Sequence, residues 1–249
     1  MKPDNRSGRT IMLLFGNAVY SVYLISLLFL VVFQLKPGLL GMEIPTGNPW
    51  QAILIDCGLI SLFAIPHSVM ARPFFKERFR RLLPEPVERS VYVLVASVAL
   101  CLATFLWQDL RGGIWKIEDP LARAIVIGVF GAGVAIAIAS TFAIDHFELF
   151  GLRQVWLNFR QAPAAPTSKF VTPFLYRLVR HPLMFGMLLL LWSIPEMSVG
   201  HLVFSAGMSL YIFVGIFYEE RDLKRNFGES YQTYSRKVPM LLPWKGKLK

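Results

Sequence analysis

Long blocks of apolar residues alternate with short charged segments along the chain. The apolar blocks cover residues 11–33, 50–70, 90–107, 121–144 and 184–217. Each of the first four matches the length of about 20 residues that a helix needs to cross the hydrocarbon core of a bilayer. Apolar residues grouped in this way cannot all face the core of a water-soluble domain. The pattern therefore predicts one membrane-spanning helix in each of these four blocks.

The fifth block is too long for a single crossing. It is interrupted at residues 194–197, which read IPEM, and a proline inside a helix removes a hydrogen bond and clashes with the preceding turn. The block is therefore predicted to be a helical hairpin that enters the membrane and returns. Its first arm is short, and we expect that arm to include the preceding residues 174–181. The C-terminal tail is predicted to be a helical, cytosolic segment.

The composition supports the same fold class. Apolar residues make up 55% of the 249 residues and charged residues only 17%, which lies outside the range of ordinary soluble domains. We therefore predict an all-α, polytopic integral membrane protein with about four spans, a C-terminal hairpin and a helical tail. Cys57 and Cys101 lie within apolar blocks, where small apolar filler is a better interpretation than a disulfide or a metal pair.

Lysine and arginine are distributed unequally between the connecting segments. Most of the 26 lie in the N-terminal tail, in residues 71–89 and 148–180, and in the tail from residue 218. The opposite loops carry only Lys36, Arg111 and Lys116, with Arg123 at a helix start. Because cytoplasmic loops are enriched in these residues, we predict a multi-pass protein of the cytoplasmic (inner) membrane with both termini in the cytosol. The net charge of +10 then reflects contact with anionic lipid, and neither a nucleic acid nor a protein partner is predicted.

Several polar residues fall at the predicted cytosolic ends of the helices. These residues are His67, Ser68, Asp145, His146, His181, Glu219 and Glu220. Ionisable groups at membrane depth are costly and often mark functional sites, although snorkelling and helix capping also place them there. Their convergence from three separate helix ends favours a functional site. His201 and Glu196 lie near the hairpin turn on the opposite side, where we expect a structural role.

The last third of the chain carries the most specific pattern. Residues 176–186 read YRLVRHPLMFG, residues 219–234 read EERDLKRNFGESYQTY, and Val238 and Pro239 follow. This order of Arg-His-Pro, hairpin, paired glutamates, Phe-Gly and spaced tyrosines resembles the signature of the isoprenylcysteine carboxyl methyltransferase superfamily. Met184 stands where that signature commonly has tyrosine, so no hydroxyl is available at this position.

Four further segments extend the resemblance over most of the chain. They are residues 66–73 (PHSVMARP), 88–92 (ERSVY), 145–154 (DHFELFGLRQ) and 195–202 (PEMSVGHL). They look like the bacterial methanethiol S-methyltransferase branch of that superfamily. The resemblance implies that a methyl group passes from S-adenosylmethionine to a small volatile thiol, giving dimethyl sulfide. It also implies a single domain in which residues 171–249 hold the cofactor and residues 1–170 form the acceptor side.

The resemblance implies a cofactor site in the C-terminal motif. Its residues are Arg180, His181, Pro182, Met184, Glu219, Glu220, Leu223, Tyr231 and Tyr234. Proline suits the first position of a helix, whose backbone donors favour an anion such as the methionyl carboxylate. Carboxylates can accept hydrogen bonds from an ammonium group or a ribose, and tyrosines can cover an adenine or face a sulfonium. Without the resemblance, an amphipathic tail helix on the membrane surface would explain the same residues. No metal site is predicted.

Acceptor activation is predicted at the ends of the second and fourth spans. The thiolate is the reactive form of a thiol, and a histidine has a suitable pKa to remove the proton near neutral pH. We predict catalytic roles for His146, Asp145 and His67, and substrate contacts for Ser68 and Arg72. Adjacent helical residues point about 100° apart, so Asp145 is expected to pair with Arg72 or another helix end rather than with His146. The competing interpretation is that His146 only anchors its helix at the headgroups.

Three alternative functions stay open at this point. The first is methylation of another acceptor, such as a prenylated or other lipidic carboxyl, thiol or amine, because the C-terminal pattern concerns the cofactor rather than the acceptor. The second is a membrane sterol-type reductase that uses NADPH, since such enzymes look similar in the C-terminal region. The third is a channel, quinone-binding or haem-associated protein. It would need two histidines facing each other at one depth, and His201 is expected on the wrong side.

Overall fold

The computed structural model is almost entirely helical. It describes residues 6–35, 44–45, 48–110, 112–163 and 172–243. The helices are α1 (Arg6–Leu35), α2 (Pro49–Met70), α3 (Pro73–Phe79), α4 (Glu85–Phe105), α5 (Pro120–Ile144), α6 (His146–Leu149), α7 (Leu152–Arg160), α8 (Phe174–Leu178), α9 (Pro182–Trp192) and α10 (Val199–Lys237). The strands are β1 (Ile44–Pro45), β2 (Gln108–Asp109), β3 (Gly113–Lys116) and β4 (Glu196–Ser198). The predicted all-α class is confirmed.

Among the described residues, five helices are long and apolar enough to cross a membrane: α1, α2, α4, α5 and α10. The first four coincide with the predicted spans. Large apolar side chains on these helices are exposed, for example Leu54 at 74%, Leu121 at 71% and Leu210 at 67%. Apolar surface on this scale is compatible with lipid and not with water. The chain is therefore a multi-pass membrane protein.

The predicted hairpin is present, but its first arm is shorter than expected. The 11-residue α9 and the 39-residue α10 are its two arms. The expectation that residues 174–181 extend the first arm is wrong, because α8 is a separate helix and Val179 is extended, with φ −143° and ψ 153°. The proline ring of Pro182 disfavours the helical conformation of His181, the residue before it. A continuous helix therefore cannot pass from α8 into α9.

The second arm continues beyond the membrane. At 1.5 Å per residue, a helix of this length extends about 58 Å, roughly twice the thickness of the hydrocarbon core. Gly228 interrupts α10 with φ 53° and ψ −126°, a conformation that residues other than glycine rarely adopt. The charged part of α10 therefore forms the predicted helical tail.

Side-chain caps mark where three of the long helices begin. Asn48 accepts a hydrogen bond from the backbone N–H of Trp50 before α2. Asp119 caps α5 in the same way, and Ser198 accepts from the backbone N–H of His201 at the start of α10. Each cap pairs one of the backbone donors that a helix start leaves unpaired. The short polar segments between the apolar blocks therefore also define the helix boundaries.

The chain divides into two compact units. Unit 1 comprises residues 1–110 and 146–166, and unit 2 comprises residues 111–145 and 167–249. In unit 1, α4 packs against α1 and α2, and α7 packs against α1. Gly16 permits the contact between α1 and α7, since a Cβ at this position would lie 2.7 Å from Cγ2 of Val155.

Unit 2 is built around the packing of α5 against α9. Gly133 and Gly186 face each other across this contact, where a Cβ on either glycine would lie within 2.8 Å of the other's carbonyl oxygen. At the hairpin turn, β3 pairs with β4 in antiparallel fashion. Arg123 and Glu196 form an ion pair of 3.0 Å beside it. The turn is thus held by backbone pairing and by charge.

The membrane orientation stays a prediction. It rests partly on residues that lie outside the described ranges, namely Lys2, Lys36, Gly47, Arg111, Lys169 and residues 244–249.

Candidate active site

Glu220 is the centre of a polar cluster in unit 2. Its Oε1 accepts hydrogen bonds from Arg180 Nε at 2.7 Å and from the Tyr231 hydroxyl at 2.8 Å. The same oxygen lies 3.0 Å from His181 Nε2. His181 and Tyr231 are buried, with 4% and 1% of their surface exposed. Charge-assisted hydrogen bonds from several donors hold this carboxylate in one position.

The end of the tail folds back onto Arg180. One terminal nitrogen of its guanidinium donates to the carbonyl oxygens of Ser235 at 2.7 Å and Val238 at 2.9 Å. The backbone N–H of Arg180 donates to the carbonyl oxygen of Pro239 at 2.9 Å. The Val-Pro segment of the sequence motif therefore packs beside the Arg-His-Pro segment, about 60 residues earlier in the chain.

The other predicted cofactor residues differ in their exposure. Glu219 is 48% exposed, and its Oε2 lies 3.4 Å from His181 Nδ1. Met184, Leu223 and Tyr234 are half-buried, and Pro182 is buried. The hydroxyl of Tyr234 donates to the carbonyl oxygen of Tyr176. The structure thus brings together Arg180, His181, Glu219, Glu220 and Tyr231. Of the two glutamates, Glu219 has the more exposed carboxylate.

His181 carries more positive charge than an ordinary histidine at neutral pH. Burial of its ring lowers the pKa, but the hydrogen bonds and charges of Glu219 and Glu220 raise it, and the pKa lies above its usual value of 6.5. The two carboxylates thus outweigh the cost of burying a charged ring.

His146 lies in an aromatic environment in unit 1. Its Nε2 is 2.7 Å from the hydroxyl of Tyr20, which belongs to α1. The rings of Phe147 and Phe150 lie 5.4 Å and 4.8 Å from the histidine ring, and only 6% of His146 is exposed. The Tyr20 hydroxyl fixes the orientation of the ring, and the neighbouring rings exclude water from it.

His67 forms a second histidine–tyrosine pair in the same unit. Its Nε2 is 2.8 Å from the hydroxyl of Tyr92 on α4, and Phe63 stacks on its ring at 5.2 Å. The guanidinium of Arg89 lies 4.8 Å from the centre of the Tyr92 ring. The two histidines therefore bond to different tyrosines on different helices.

The tyrosine partners of the two histidines were not among the residues predicted from the sequence. Tyr92 lies in residues 88–92, a segment that carried the family resemblance, so it could have been found. Tyr20 lies inside the apolar block of α1, where nothing in the pattern separates it from lipid-facing residues.

The remaining predicted acceptor residues lie at helix ends. Asp145 follows α5 with extended backbone, Arg72 precedes α3, and Ser68 lies in the last turn of α2. All three are half-buried. Their roles, and the pairing of Asp145 with Arg72, stay predictions. In the part of the chain that the structure describes, no group of three or more His, Cys, Asp and Glu side chains could hold a metal ion.

The fold and the polar cluster define a class of protein. The spans and the hairpin are those of a polytopic membrane protein, and Arg180, His181 and Glu220 of its polar cluster belong to the C-terminal motif that resembles the isoprenylcysteine carboxyl methyltransferase superfamily. The NnrU protein family matches residues 56–245. The chain belongs to this family, and within it to the branch of methanethiol S-methyltransferases.

Three relatives illustrate the extent of the similarity. Methanethiol S-methyltransferase 1 of Bradyrhizobium diazoefficiens is 41% identical over 97% of this chain and 85% of its own length. Methanethiol S-methyltransferase of Crocosphaera subtropica is 43% identical over 96% of this chain and 94% of its own. The Mycobacterium tuberculosis protein of the same name is 41% identical, over 95% and 97% of the two chains. No solved structure matches the chain.

Proposed function

We propose that the protein methylates methanethiol, with S-adenosylmethionine as the donor, and produces dimethyl sulfide. The observation that carries this proposal is the similarity to relatives named methanethiol S-methyltransferase over 94% or more of the chain. The donor is inferred from the C-terminal motif, which resembles that of a superfamily of methyltransferases. When bound, S-adenosylmethionine supplies a methyl group attached to a positively charged sulfur.

The residues of unit 2 fit this cofactor. The side chain of His181 is directed to the two glutamates instead of capping α9, which leaves the first-turn N–H groups of α9 to the methionyl carboxylate. Glu219 is partly exposed and can accept hydrogen bonds from the ammonium group. The half-buried ring of Tyr234 offers a face to the adenine or to the sulfonium.

Glu220, Arg180 and Tyr231 are assigned a positioning role. Their polar atoms already form hydrogen bonds with one another. We therefore expect them to fix the start of α9 and the end of the tail in place and not to bind the ligand directly. Preorganisation of this kind matters because methyl transfer depends on alignment of acceptor and donor and on exclusion of water.

His146 is assigned the removal of the acceptor proton. A model thiol has a pKa of about 8.5, so a thiol is mostly protonated at neutral pH. We expect His146→Ala to lower turnover at pH 7 and to regain part of it at high pH, where the thiol ionises unaided. A helix anchor would instead lower stability at every pH. Wild-type turnover of the variant between pH 6 and pH 10 would remove the base role.

We place this chemistry at the cytosolic side of the inner membrane, with both termini in the cytosol. The distribution of lysine and arginine supports this orientation. A small apolar thiol can also reach the protein through the bilayer, which gives a physical reason for a membrane-embedded enzyme.

The proposal is tested by headspace detection of dimethyl sulfide. Membranes that contain the protein are given methanethiol and S-adenosylmethionine, and product should form only when both are present. Membranes from the same host without the protein serve as the control for background activity. Transfer of a radiolabelled methyl group to lipid but not to thiol would favour a lipidic acceptor, and binding of NADPH instead of S-adenosylhomocysteine would favour a reductase.

A further inference from the structure

A short helix of unit 1, α7, lies across one end of α1. Val155 packs against Gly16 of α1, and Nδ2 of Asn158 lies 3.5 Å from the sulfur of Met12. Later residues of α7 thus meet earlier residues of α1, so the two helices are antiparallel. These α1 residues begin its apolar block, residues 11–33. The helix α7 therefore lies at the level where this span leaves the hydrocarbon core of the bilayer.

The face of α7 that points away from α1 combines an indole ring with two arginines. Val155 is fully buried, whereas Trp156, the next residue, is 50% exposed. Successive helical residues are rotated by about 100°, so Arg153, Trp156 and Arg160 lie on one face. The guanidinium of Arg160 lies 5.8 Å from the centre of the Trp156 ring, and the Phe159 ring lies 6.2 Å from that ring. Tryptophan and arginine side chains are typical of the boundary between acyl chains and headgroups.

The charge of this face stays positive when the nearby carboxylate is counted. Arg153 lies 3.3 Å from Glu148, so these two charges offset each other. Arg160 is exposed, and within the ranges that the structure describes its guanidinium forms neither a hydrogen bond nor an ion pair. The antiparallel packing brings the exposed Arg6, at the start of α1, to the same end. An anionic headgroup therefore complements this face better than a neutral one.

We propose that the outward face of α7 binds an anionic phospholipid. Arg160 contacts the phosphate, Trp156 lies at the level of the glycerol, and Phe159 faces the acyl chains. The inference does not depend on the proposed thiol methylation, because it concerns only α1 and α7. The bound lipid holds α7 against α1 and so stabilises unit 1.

The size and chemistry of this face favour a lipid over other anionic or apolar partners. A helix of nine residues is only about 14 Å long, whereas a stable protein interface buries about 800 Å² on each partner. Free phosphate would pair with Arg160 but leave the rings of Trp156 and Phe159 uncovered. A phospholipid supplies both the negative charge and the apolar chains.

The first part of the test uses phosphatidylglycerol with brominated acyl chains, which quench tryptophan fluorescence at close range. The lipid is titrated into the purified full-length protein in phosphatidylcholine bicelles. The difference between wild type and Trp156→Phe gives the quenching of Trp156 alone. Arg160→Gln should raise the lipid fraction needed for half of this quenching about fivefold, the effect of one basic residue near an anionic surface. Arg160→Lys should stay close to wild type. Arg225→Gln, an exposed arginine of α10, is the matched control and should quench like wild type.

Three results of this titration would overturn the inference. They are an unchanged midpoint in Arg160→Gln, equal quenching of Trp156 by brominated phosphatidylcholine and phosphatidylglycerol, and no quenching of Trp156 by either lipid. Inorganic phosphate should leave the midpoint where chloride of equal ionic strength leaves it. Competition by phosphate beyond that of chloride would indicate a site for the free anion and overturn the lipid assignment.

The second part measures what the bound lipid does to the protein. Phosphatidylglycerol added to the protein in neutral detergent should raise the thermal midpoint of wild type more than that of Arg160→Gln. The two proteins should have equal midpoints without the lipid, because the Arg160 side chain is exposed. An equal rise in both proteins would overturn the stabilising role. A change in the mass of the protein assembly caused by Arg160→Gln would instead assign the face to a contact between copies of the chain and overturn the inference.

Discussion

Single residues hold distant parts of the chain together in unit 2. Glu220 bonds to Arg180 and Tyr231, which lie 40 and 11 positions away in the sequence. Because one carboxylate oxygen serves these donors, truncation of Glu220 leaves partly buried positive charge without its partner. Substitution of a residue in this cluster should therefore affect both the stability of the protein and its affinity for the cofactor.

Glu220→Ala is expected to lower stability by about 1–3 kcal/mol, because it removes one partner of a partly buried, hydrogen-bonded charge pair. His181→Ala is expected to weaken S-adenosylhomocysteine binding about tenfold or more with a smaller loss of stability. Thermal unfolding and calorimetry measure the two effects. Glu229→Ala, an exposed position on the same helix, should leave both unchanged. Wild-type cofactor affinity in both site variants would exclude them from the site.

His181 predicts a pH dependence of stability. Its folded pKa lies above the usual 6.5, so its contribution is fully present below pH 6.5 and is lost as pH rises through the raised value. The thermal midpoint of His181→Gln should therefore approach that of wild type as pH rises above this window. His201→Gln should keep the wild-type profile. A constant difference between His181→Gln and wild type from pH 5 to pH 9 would contradict the prediction.

At the scale of elements, the contact between α5 and α9 depends on two glycines. A Cβ at Gly186 would lie 2.6 Å from the carbonyl oxygen of Gly133 and 2.7 Å from the backbone nitrogen of Ala137. Backbone atoms cannot move aside as the end of a side chain can, so the helices would have to separate. The same contact positions the start of α9, and with it His181.

Gly186→Ala is therefore expected to destabilise the protein by about 1–3 kcal/mol through overpacking. The matched control is Gly131→Ala in α5, where an added Cβ meets nothing within 4 Å. That variant should be as stable as wild type or slightly more stable, since alanine favours a helix. Thermal unfolding in the same detergent compares the two. Equal stability of both variants would contradict the close packing of α5 against α9 at these glycines.

At the scale of the whole molecule, the distribution of charge predicts the orientation in the membrane. The segment between α2 and α4 contains Arg72, Lys76, Arg78, Arg80 and Arg81, and such segments are retained in the cytosol. The loop that contains Gly113 lies between α4 and α5, one crossing away.

Cysteine labelling tests this orientation on intact cells. In a background without the free cysteines at positions 57 and 101, Gly113→Cys should react with a membrane-impermeant maleimide from outside. Arg80→Cys should react only after lysis. Labelling of position 80 in intact cells would overturn the orientation and the cytosolic site together.

The sequence by itself determined the helices that span the membrane, because length and hydropathy suffice to predict an apolar helix in lipid. It also determined which C-terminal residues belong together, since the spacing of Arg180, His181, Glu219 and Glu220 resembles a family signature. The expectation that residues 174–181 extend the first arm of the hairpin was wrong, although the effect of Pro182 on the residue before it is local and can be read from the sequence.

Only the tertiary structure decided which partner each polar side chain has. Tyr20 looks like an ordinary aromatic residue of an apolar helix until folding brings it to His146, and the bond of Tyr92 to His67 is equally set by packing. The same holds for Lys76 and Arg89, whose charges are predicted to lie on the cytosolic surface and which instead line one small pocket with Glu88 and Tyr92. The physical reason is that hydropathy depends on each residue separately. Hydrogen bonds and charge pairing depend on distances between residues far apart in the chain, which only packing of the helices sets.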